Sequence, residues 1–369
     1  MTMGIGLVMI VKDEEKRLLV SLESILGVAT KLFIYDTGST DKTIEILENF
    51  SKKHNIPLVL KRGEFVNFSV SRNISIDMAE QDKTIKFMLL LDSNDELKNG
   101  KELVRILNHK SSKDIDGFMV CQEWLHGANT VDRYFNTRVI RSGKGWRYAG
   151  SVHEWIKPGI PESKVGKLPD TIRLFQDRKY DAEKSMGRYK KDRELLLNDI
   201  KINPKDSRAY FYLAQTCSCL GLTEETYYYY KERAKIKEGF WEEIFHSYLR
   251  LGDVSKAMNH PWEEQMKWYM KAFEVSKRAE PLVKIADYYR LNGDNTMSYY
   301  FVNIACDLEP PVCLLFVDST VYDYKRWHVM GIVAYYCGKY KEGKEACLKA
   351  IEARDCDIDK KNLEFYKNN

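Results

Sequence analysis

Within the first 110 residues, strand-length apolar runs alternate with helix-periodic segments, and this restricts the fold more than any other feature of the chain. Residues 5–11 form an unbroken apolar run, the kind found in strands covered on both faces. Residues 14–26 then carry Leu18, Leu22, Ile25 and Leu26 on one face at helical spacing. A second strand at 31–36 (KLFIYD) ends on a carboxylate. Gly38-Ser39-Thr40-Asp41 turns the chain, with Asp41 placed to cap a helix over 42–53. A third strand at 57–61, a helix at 71–80, a fourth strand at 86–92 (KFMLLLD) and a helix at 97–108 continue the pattern. This rhythm predicts a mainly parallel sheet with helices on both faces. Ligands of such sheets sit beyond the carboxyl ends of the strands.

From Asp116 the pattern changes. Residues 117–125 and 134–141 read as strands, 143–169 are punctuated by Gly and Pro, and 181–200 read as a helix. At 369 residues there is room for about two domains, at roughly 100–200 residues each. The second is helical. Gly221, Gly252, Gly293 and Gly338 each sit where a turn between helices is expected. Seven residues before them lie Ala214, Phe245, Ala286 and Gly331; five after lie Thr226, Ala257, Ser298 and Gly343. Most of these are small, as two closely approaching helices of a hairpin require. The pattern resembles tetratricopeptide repeats, whose period is about 34 residues. The glycines here are 31, 41 and 45 apart, so the repeats are degenerate and carry insertions such as His260-Pro261-Trp262. The resemblance covers about residues 205–354; the plainer alternative is a generic α-helical domain. Tyr outnumbers Phe, 23 to 15, and concentrates in this half. The run Tyr227-Tyr228-Tyr229-Tyr230 lies on a predicted helix, so its rings cannot share one face and at least one is expected to be exposed.

Composition excludes several classes. Lys plus Arg number 58 and Asp plus Glu 54, a net +4 that argues against a dedicated duplex-binding protein. No window approaches the roughly 18 apolar residues of a membrane span. The start, MTMGIGLVMIVKDEE, lacks a basic flank and reads as a first strand. The eight Cys include no CxxC pair, and seven lie beyond residue 216. Reduced, buried thiols and a cytoplasmic location are expected.

The strongest chemical signal is Leu89-Leu90-Leu91-Asp92-Ser93-Asn94-Asp95-Glu96-Leu97, where an apolar strand delivers carboxylates to the sheet edge. Hard cations such as Mg²⁺ or Mn²⁺ take oxygen ligands of this kind and stabilise a leaving diphosphate. The alternative is a strand-to-helix turn with Asp95 or Glu96 serving the next helix. Three further segments accompany it: Met9-Ile10-Val11-Lys12-Asp13-Glu14-Glu15, Tyr35-Asp36-Thr37-Gly38-Ser39-Thr40-Asp41-Lys42-Thr43 and Phe68-Ser69-Val70-Ser71-Arg72-Asn73. In this order the four segments resemble family 2 glycosyltransferases of the GT-A fold, over about residues 4–190.

The resemblance implies an α/β GT-A domain with a Rossmann-like mixed sheet, binding a nucleotide-diphosphate sugar. By it, Asp36 lies near the nucleotide base, although Thr37 stands where many relatives have a second Asp. Arg72 and Asn73 help hold the nucleotide, or form a solvated helix start. Asp92 contacts the ribose or metal shell, and the metal set is Asp92, Asn94, Asp95 and His153. Asn94 replaces the family's metal-binding Asp with a weaker neutral ligand, for which Asp95 is the candidate compensation. Gly145-Trp146-Arg147-Tyr148-Ala149-Gly150-Ser151-Val152-His153-Glu154-Trp155 also resembles a family segment. In it Glu154 is the candidate catalytic base or a salt-bridge partner, and His153 a metal ligand or a structural hydrogen-bonding group. Asp132 and Glu123 compete for the base role. Arg178 and Lys184 clamp the diphosphate or lie on a charged helix surface. Trp124, Trp146 and Trp155 are sugar-stacking candidates or packed side chains.

The expectation is therefore a glycosyltransferase domain at 1–180, a linking helix at 181–204 and a tetratricopeptide-like domain at 205–369. The resemblance implies inverting, metal-assisted transfer, UDP-sugar favoured, to an acceptor hydroxyl on a glycan or protein. The array would bind the acceptor or a protein partner, or dimerise. The rival is a non-catalytic scaffold with a decayed transferase domain, for which Asn94 is the one supporting feature. A nucleotidyltransferase would need a Gly-rich phosphate loop after the first strand, which Lys12-Asp13-Glu14-Glu15 is not.

Overall fold

The computed structural model describes residues 3–126, 129–177, 185–313 and 315–367. The chain divides into two compact units, Met1–Asp199 and Ile200–Asn369.

The first unit opens with β1 (Gly4–Val11), α1 (Leu18–Ser24), β2 (Lys31–Asp36), α2 (Thr43–His54), β3 (Leu58–Arg62), α3 (Phe68–Glu80) and β4 (Ile85–Leu90). It continues through β5 (Asp95–Lys98), α4 (Gly100–Asn108), β6 (Gly117–His126) and β7 (Asn129–Arg141). Three short strands follow, β8 (Arg147–Ala149), β9 (Trp155–Lys157) and β10 (Val165–Lys167), then β11 (Arg173–Asp177) and α5 (Ser185–Ile202). Among the described residues the sheet order is β3-β2-β1-β4-β7-β6-β11-β5, with β10 beside β6. The β3, β2, β1 and β4 half is parallel, whereas β7 is antiparallel to both β4 and β6, so the sheet is mixed.

The apolar run in β1 needs no polar face because both faces are covered. Leu7 and Met9 pack with α1, α2 and α4 through Leu18, Leu22, Leu47, Phe50 and Leu103. Val8 points the other way, toward Ile76 and Ala79 of α3 and Trp146. Two expected elements differ. The segment read as a helix from Leu97 begins as β5, because residues 95–98 pair antiparallel with β11, a partner far along the chain. The helix expected from Ser71 starts at Phe68, because the Asn67 side chain caps it by accepting from the Val70 amide at 2.8 Å.

The second unit is a series of paired helices: α6 (Ser207–Cys219) with α7 (Thr223–Lys235), α8 (Trp241–Ala257) with α9 (Trp262–Val275), α10 (Ala279–Leu291) with α11 (Asn295–Cys306), α12 (Arg326–Tyr336) with α13 (Tyr340–Ala353), and a closing α14 (Asp357–Glu364). Gly221, Gly293 and Gly338 turn the chain between helices at φ 74°, 82° and 68°. Gly252 does not. It lies inside α8, and its hairpin is turned instead by Asn259 at φ 56°. Its smallness serves packing, since a Cβ there would stand 2.3 Å from the Tyr269 ring. Gly331 meets Cys347 in the same way at 2.7 Å. The Tyr run lies on α7, where Tyr230 is buried and Tyr228 is 55% exposed. A cavity of about 640 Å³, lined in part by His246, Tyr269, Lys284, Tyr288 and His328, opens on this unit. None of the eight cysteines forms a disulfide. No described helix is long and apolar enough to cross a membrane.

Candidate active site

The parallel strands β1, β2 and β4 end on one sheet edge, and the motif segments begin there. The loops after β1 and β2 are laced together. The Asp13 carboxylate accepts from the Thr40 amide at 2.7 Å and the Thr40 hydroxyl at 3.2 Å, while the Asp13 amide donates to Ser39 Oγ at 3.1 Å. The Glu14 amide donates to Thr43 Oγ1 at 2.7 Å, the Glu15 amide to Asp41 at 3.0 Å, and the Lys42 amide to Glu15 at 3.2 Å. Each segment thus satisfies backbone groups of the other that no strand reaches, which explains why these polar residues occur as a matched set. The Thr40 amide holds the Asp13 carboxyl below its usual range. Asp36, fully buried at the end of β2, accepts from the Ser39 amide at 3.0 Å and from Arg62 Nε at 3.1 Å. Arg62 stands opposite it in the β2–β3 register.

The centre of the edge is a chain of ion pairs. Arg72, in the second turn of α3, donates from Nη2 to Asp92 Oδ1 and from Nε to Glu154 Oε1, both at 2.6 Å. Its guanidinium lies 5.2 Å from the Tyr148 ring centroid. Arg138 of β7 donates to Asp92 Oδ2 at 3.2 Å and to Gln122 Oε1 at 2.9 Å, and lies 3.9 Å from Asp95. The β4–β7 register sets Leu89 opposite Val139 and so brings Arg138 to the end of β4. Burial alone would raise the Asp92 carboxyl, but Arg72 and Arg138 hold it well below its usual range. Burial lowers both guanidiniums, and the surrounding carboxylates outweigh it and hold each above its ordinary value. Asp95 goes the other way, pushed up to about 7 by burial and by the charge of Asp92.

The expected metal ligands do not converge. Both Asp92 oxygens accept from guanidiniums. Asp95 accepts from the Asp92 amide at 2.8 Å and from Gln122 and Gln176 at 3.4 and 3.3 Å. Asn94 Oδ1 accepts from Gln176 Nε2 at 3.1 Å. His153 is exposed, at φ 51°, on the otherwise largely buried 150–154 turn. Among the described residues no group of three His, Cys, Asp or Glu side chains is placed to hold an ion. The oxygens of this loop face nitrogen donors, two of them cationic, and this donor set does not fit a divalent cation.

The other expected site residues fall in varied surroundings. Asn73, expected to hold nucleotide, donates to the Tyr148 carbonyl at 3.0 Å and accepts from the Tyr148 amide at 2.8 Å, so it fastens α3 to β8. Glu123 is paired with Arg173 at 3.1 Å. Trp146 is buried over Gly117, where a Cβ would meet its ring at 2.8 Å, so it is packing and not a sugar platform. Trp124 packs edge-on against Tyr134, and Trp155 is 39% exposed. Asp132 stands opposite Trp124 in the β6–β7 register, and its side chain lies outside the described residues, as do Arg178 and Lys184.

Sequence reasoning missed Arg138, Gln122 and Asp192. The available signal was a polar side chain at an otherwise buried strand position, as Arg138 is beside Val139 and Ile140. Asp192 is 5% exposed on a helix whose neighbouring Lys190 and Lys191 face solvent. The turn beside it is anchored on two sides. Ser151 donates to Asp199 of α5 from its amide at 3.3 Å and its hydroxyl at 2.6 Å, and it accepts from Asn67 Nδ2 at 3.3 Å.

Residues 7–124 match the family model described as glycosyl transferase family 2, and the chain carries a domain of that family there. No curated protein matches the chain. Solved structures that match include MamA, at 13% identity over 47% of this chain and 94% of that one, with a TM-score of 0.36. YrrB, titled a TPR protein with an unusual peptide-binding site, matches at 11% identity over 50% of this chain and 87% of its own, TM-score 0.36. TTC0263, a thermophilic TPR protein of Thermus thermophilus, matches at 19% over 51% of this chain and 93% of its own, TM-score 0.30. The tetratricopeptide-like description of the second unit rests on its own helix pairs.

Proposed function

We propose that the first unit transfers a glycosyl group from a nucleotide-diphosphate sugar, with UDP-sugar favoured, to an acceptor hydroxyl on a glycan or protein, inverting the anomeric carbon. The helical unit, with its cavity and the exposed Tyr228, holds the acceptor, a protein partner or a second copy of the chain. The observation that carries the reading is the pair of buried guanidiniums at the carboxyl edge of a family 2 sheet. Arg138 Nε is buried without a partner, and Arg72 Nη1 makes no hydrogen bond to a described residue. The free N–H of Arg72 Nη1 suits a diphosphate oxygen, and two fixed cations offset the charge that develops as the diphosphate leaves. Asp36, with its carboxylate fixed by Arg62 and Ser39, supports a base-binding wall beside it. Mn²⁺ or Mg²⁺ is the family expectation, but the donor set argues against it. The unpaired thiols are consistent with a reducing cytoplasm.

The test is a panel of UDP-, GDP- and CDP-sugars, each with and without Mn²⁺, read by thermal shift and by release of nucleoside diphosphate. Ligand that binds only the native state raises apparent stability, so the true donor should stand out. A protein inert toward the whole panel that still captured a protein partner would leave the scaffold as the better reading.

A further inference from the structure

The 150–154 turn bears Glu154 and is fastened to α5, which carries the buried Asp192, and the surroundings of these two carboxylates divide their roles. Glu154 accepts at 2.6 Å from Arg72, which in turn holds Asp92. A proton delivered to Glu154 would break that pair and leave a buried guanidinium short of a counter-charge. Asp192 has no such commitment. It is 5% exposed and makes no hydrogen bond or ion pair with any described residue. It lies on the face of α5 that packs inward, with Leu196 four residues on, 1% exposed, and Asp199 seven on, bonded to Ser151. That face of α5 is the one fastened to the turn bearing Glu154.

A carboxylate 5% exposed with no donor among the described residues is not what packing requires; Leu or Asn would fill the position. Such a group has the free lone pairs a proton acceptor needs. Resting on the transfer reading above, we propose that Asp192 takes the proton from the attacking acceptor, while Glu154 positions Arg72. The acceptor oxygen bonds to the anomeric carbon and its proton passes to the Asp192 carboxylate. The bond from that carbon to the diphosphate oxygen breaks, and the nucleoside diphosphate leaves with the electron pair. Burial pushes the Asp192 carboxyl up to about 6; Glu154 adds to the rise, while Arg188 and Lys191 oppose it. It is therefore ionised, and an effective base, at neutral pH.

The experiment uses the full chain and water as acceptor, measuring nucleoside diphosphate released from UDP-glucose, UDP-N-acetylglucosamine and GDP-mannose. With the donor that the wild type turns over, Asp192→Asn should lower kcat at least about 100-fold with donor KM within about threefold. The acid limb of the wild-type rate, centred near pH 6, should vanish in Asp192→Asn and return in Asp192→Glu. Glu154→Gln should instead raise donor KM. Because burial raises the Asp192 carboxyl, removing its charge should leave melting at pH 8 undiminished, so lost rate cannot be assigned to unfolding. A rate within threefold of wild type in Asp192→Asn, or an unchanged acid limb in that variant, overturns the assignment and leaves the transfer reading intact. A wild type that releases nothing from any donor overturns both.

Discussion

Replacing Asp92 by Asn keeps the shape of the side chain and removes the charge that joins Arg72 to Arg138. Breaking a buried pair by removing one partner costs about 3–5 kcal/mol. Two features of the site reduce this. Arg72 keeps Glu154 at 2.6 Å, and Arg138 keeps Gln122 at 2.9 Å. In addition, the charge of Asp92 raises Asp95, so in Asp92→Asn the Asp95 carboxylate that faces Arg138 across 3.9 Å forms at lower cost. The expected loss at pH 8 is then about 2–3 kcal/mol. The pH dependence has a definite sign. A carboxyl raised in the folded state binds a proton that the unfolded chain has already lost, so Asp95 lowers wild-type stability as pH rises from about 4 toward 7, by about 1.4 kcal/mol per pH unit at most. With Asp95 returned toward its ordinary value that slope flattens, and the variant's deficit is larger at pH 5.5 than at pH 8. Native-state hydrogen exchange of the β1 and β4 amides, read as free energies at both pH values, measures this directly. A deficit under about 1 kcal/mol at both, or equal slopes in the two proteins, refutes the reasoning.

In the helical unit, Gly331→Ala and Gly252→Ala place a methyl 2.7 Å from Cys347 Sγ and 2.3 Å from the Tyr269 ring, and each should cost about 1–3 kcal/mol by urea titration. Cys347→Ala should recover part of the Gly331→Ala loss and none of the Gly252→Ala loss. Tyr228→Ala should change stability by less than about 0.5 kcal/mol while weakening acceptor or partner binding; unaltered binding removes α7 from the contact surface. Millimolar Mn²⁺ without nucleotide should leave the melting temperature unmoved, because the loop oxygens already face nitrogen donors; a rise of several degrees contradicts that account.

Much of the first unit was readable because it follows local rules. β1, β2 and β4 are strands buried on both faces, and their apolar runs are sufficient to find them. What was hidden depends on pairings distant in sequence. β5 takes its strand form from β11, and Arg138 reaches Asp92 only through the β4–β7 register. Arg72, Asp92 and Glu154 were all singled out by motif, and a salt bridge was one reading of Glu154, yet the sequence did not foretell that Arg72 joins the two carboxylates. Asn73 carried the right motif with a backbone-fastening role. In the helical unit, glycine spacing found three of the turns, whereas Gly252 misled because the same residue serves close packing as well as left-handed backbone.

The interlacing of the loops after β1 and β2 bears on motion. Five backbone amides, of Asp13, Glu14, Glu15, Thr40 and Lys42, donate across the gap to side chains of the opposite loop. Neither loop can swing away alone without baring several polar groups at once. The pair therefore behaves as a single stiff lip, and any opening that admits a large donor has to come from the other rim, where the 150–154 turn hangs between α3 and α5.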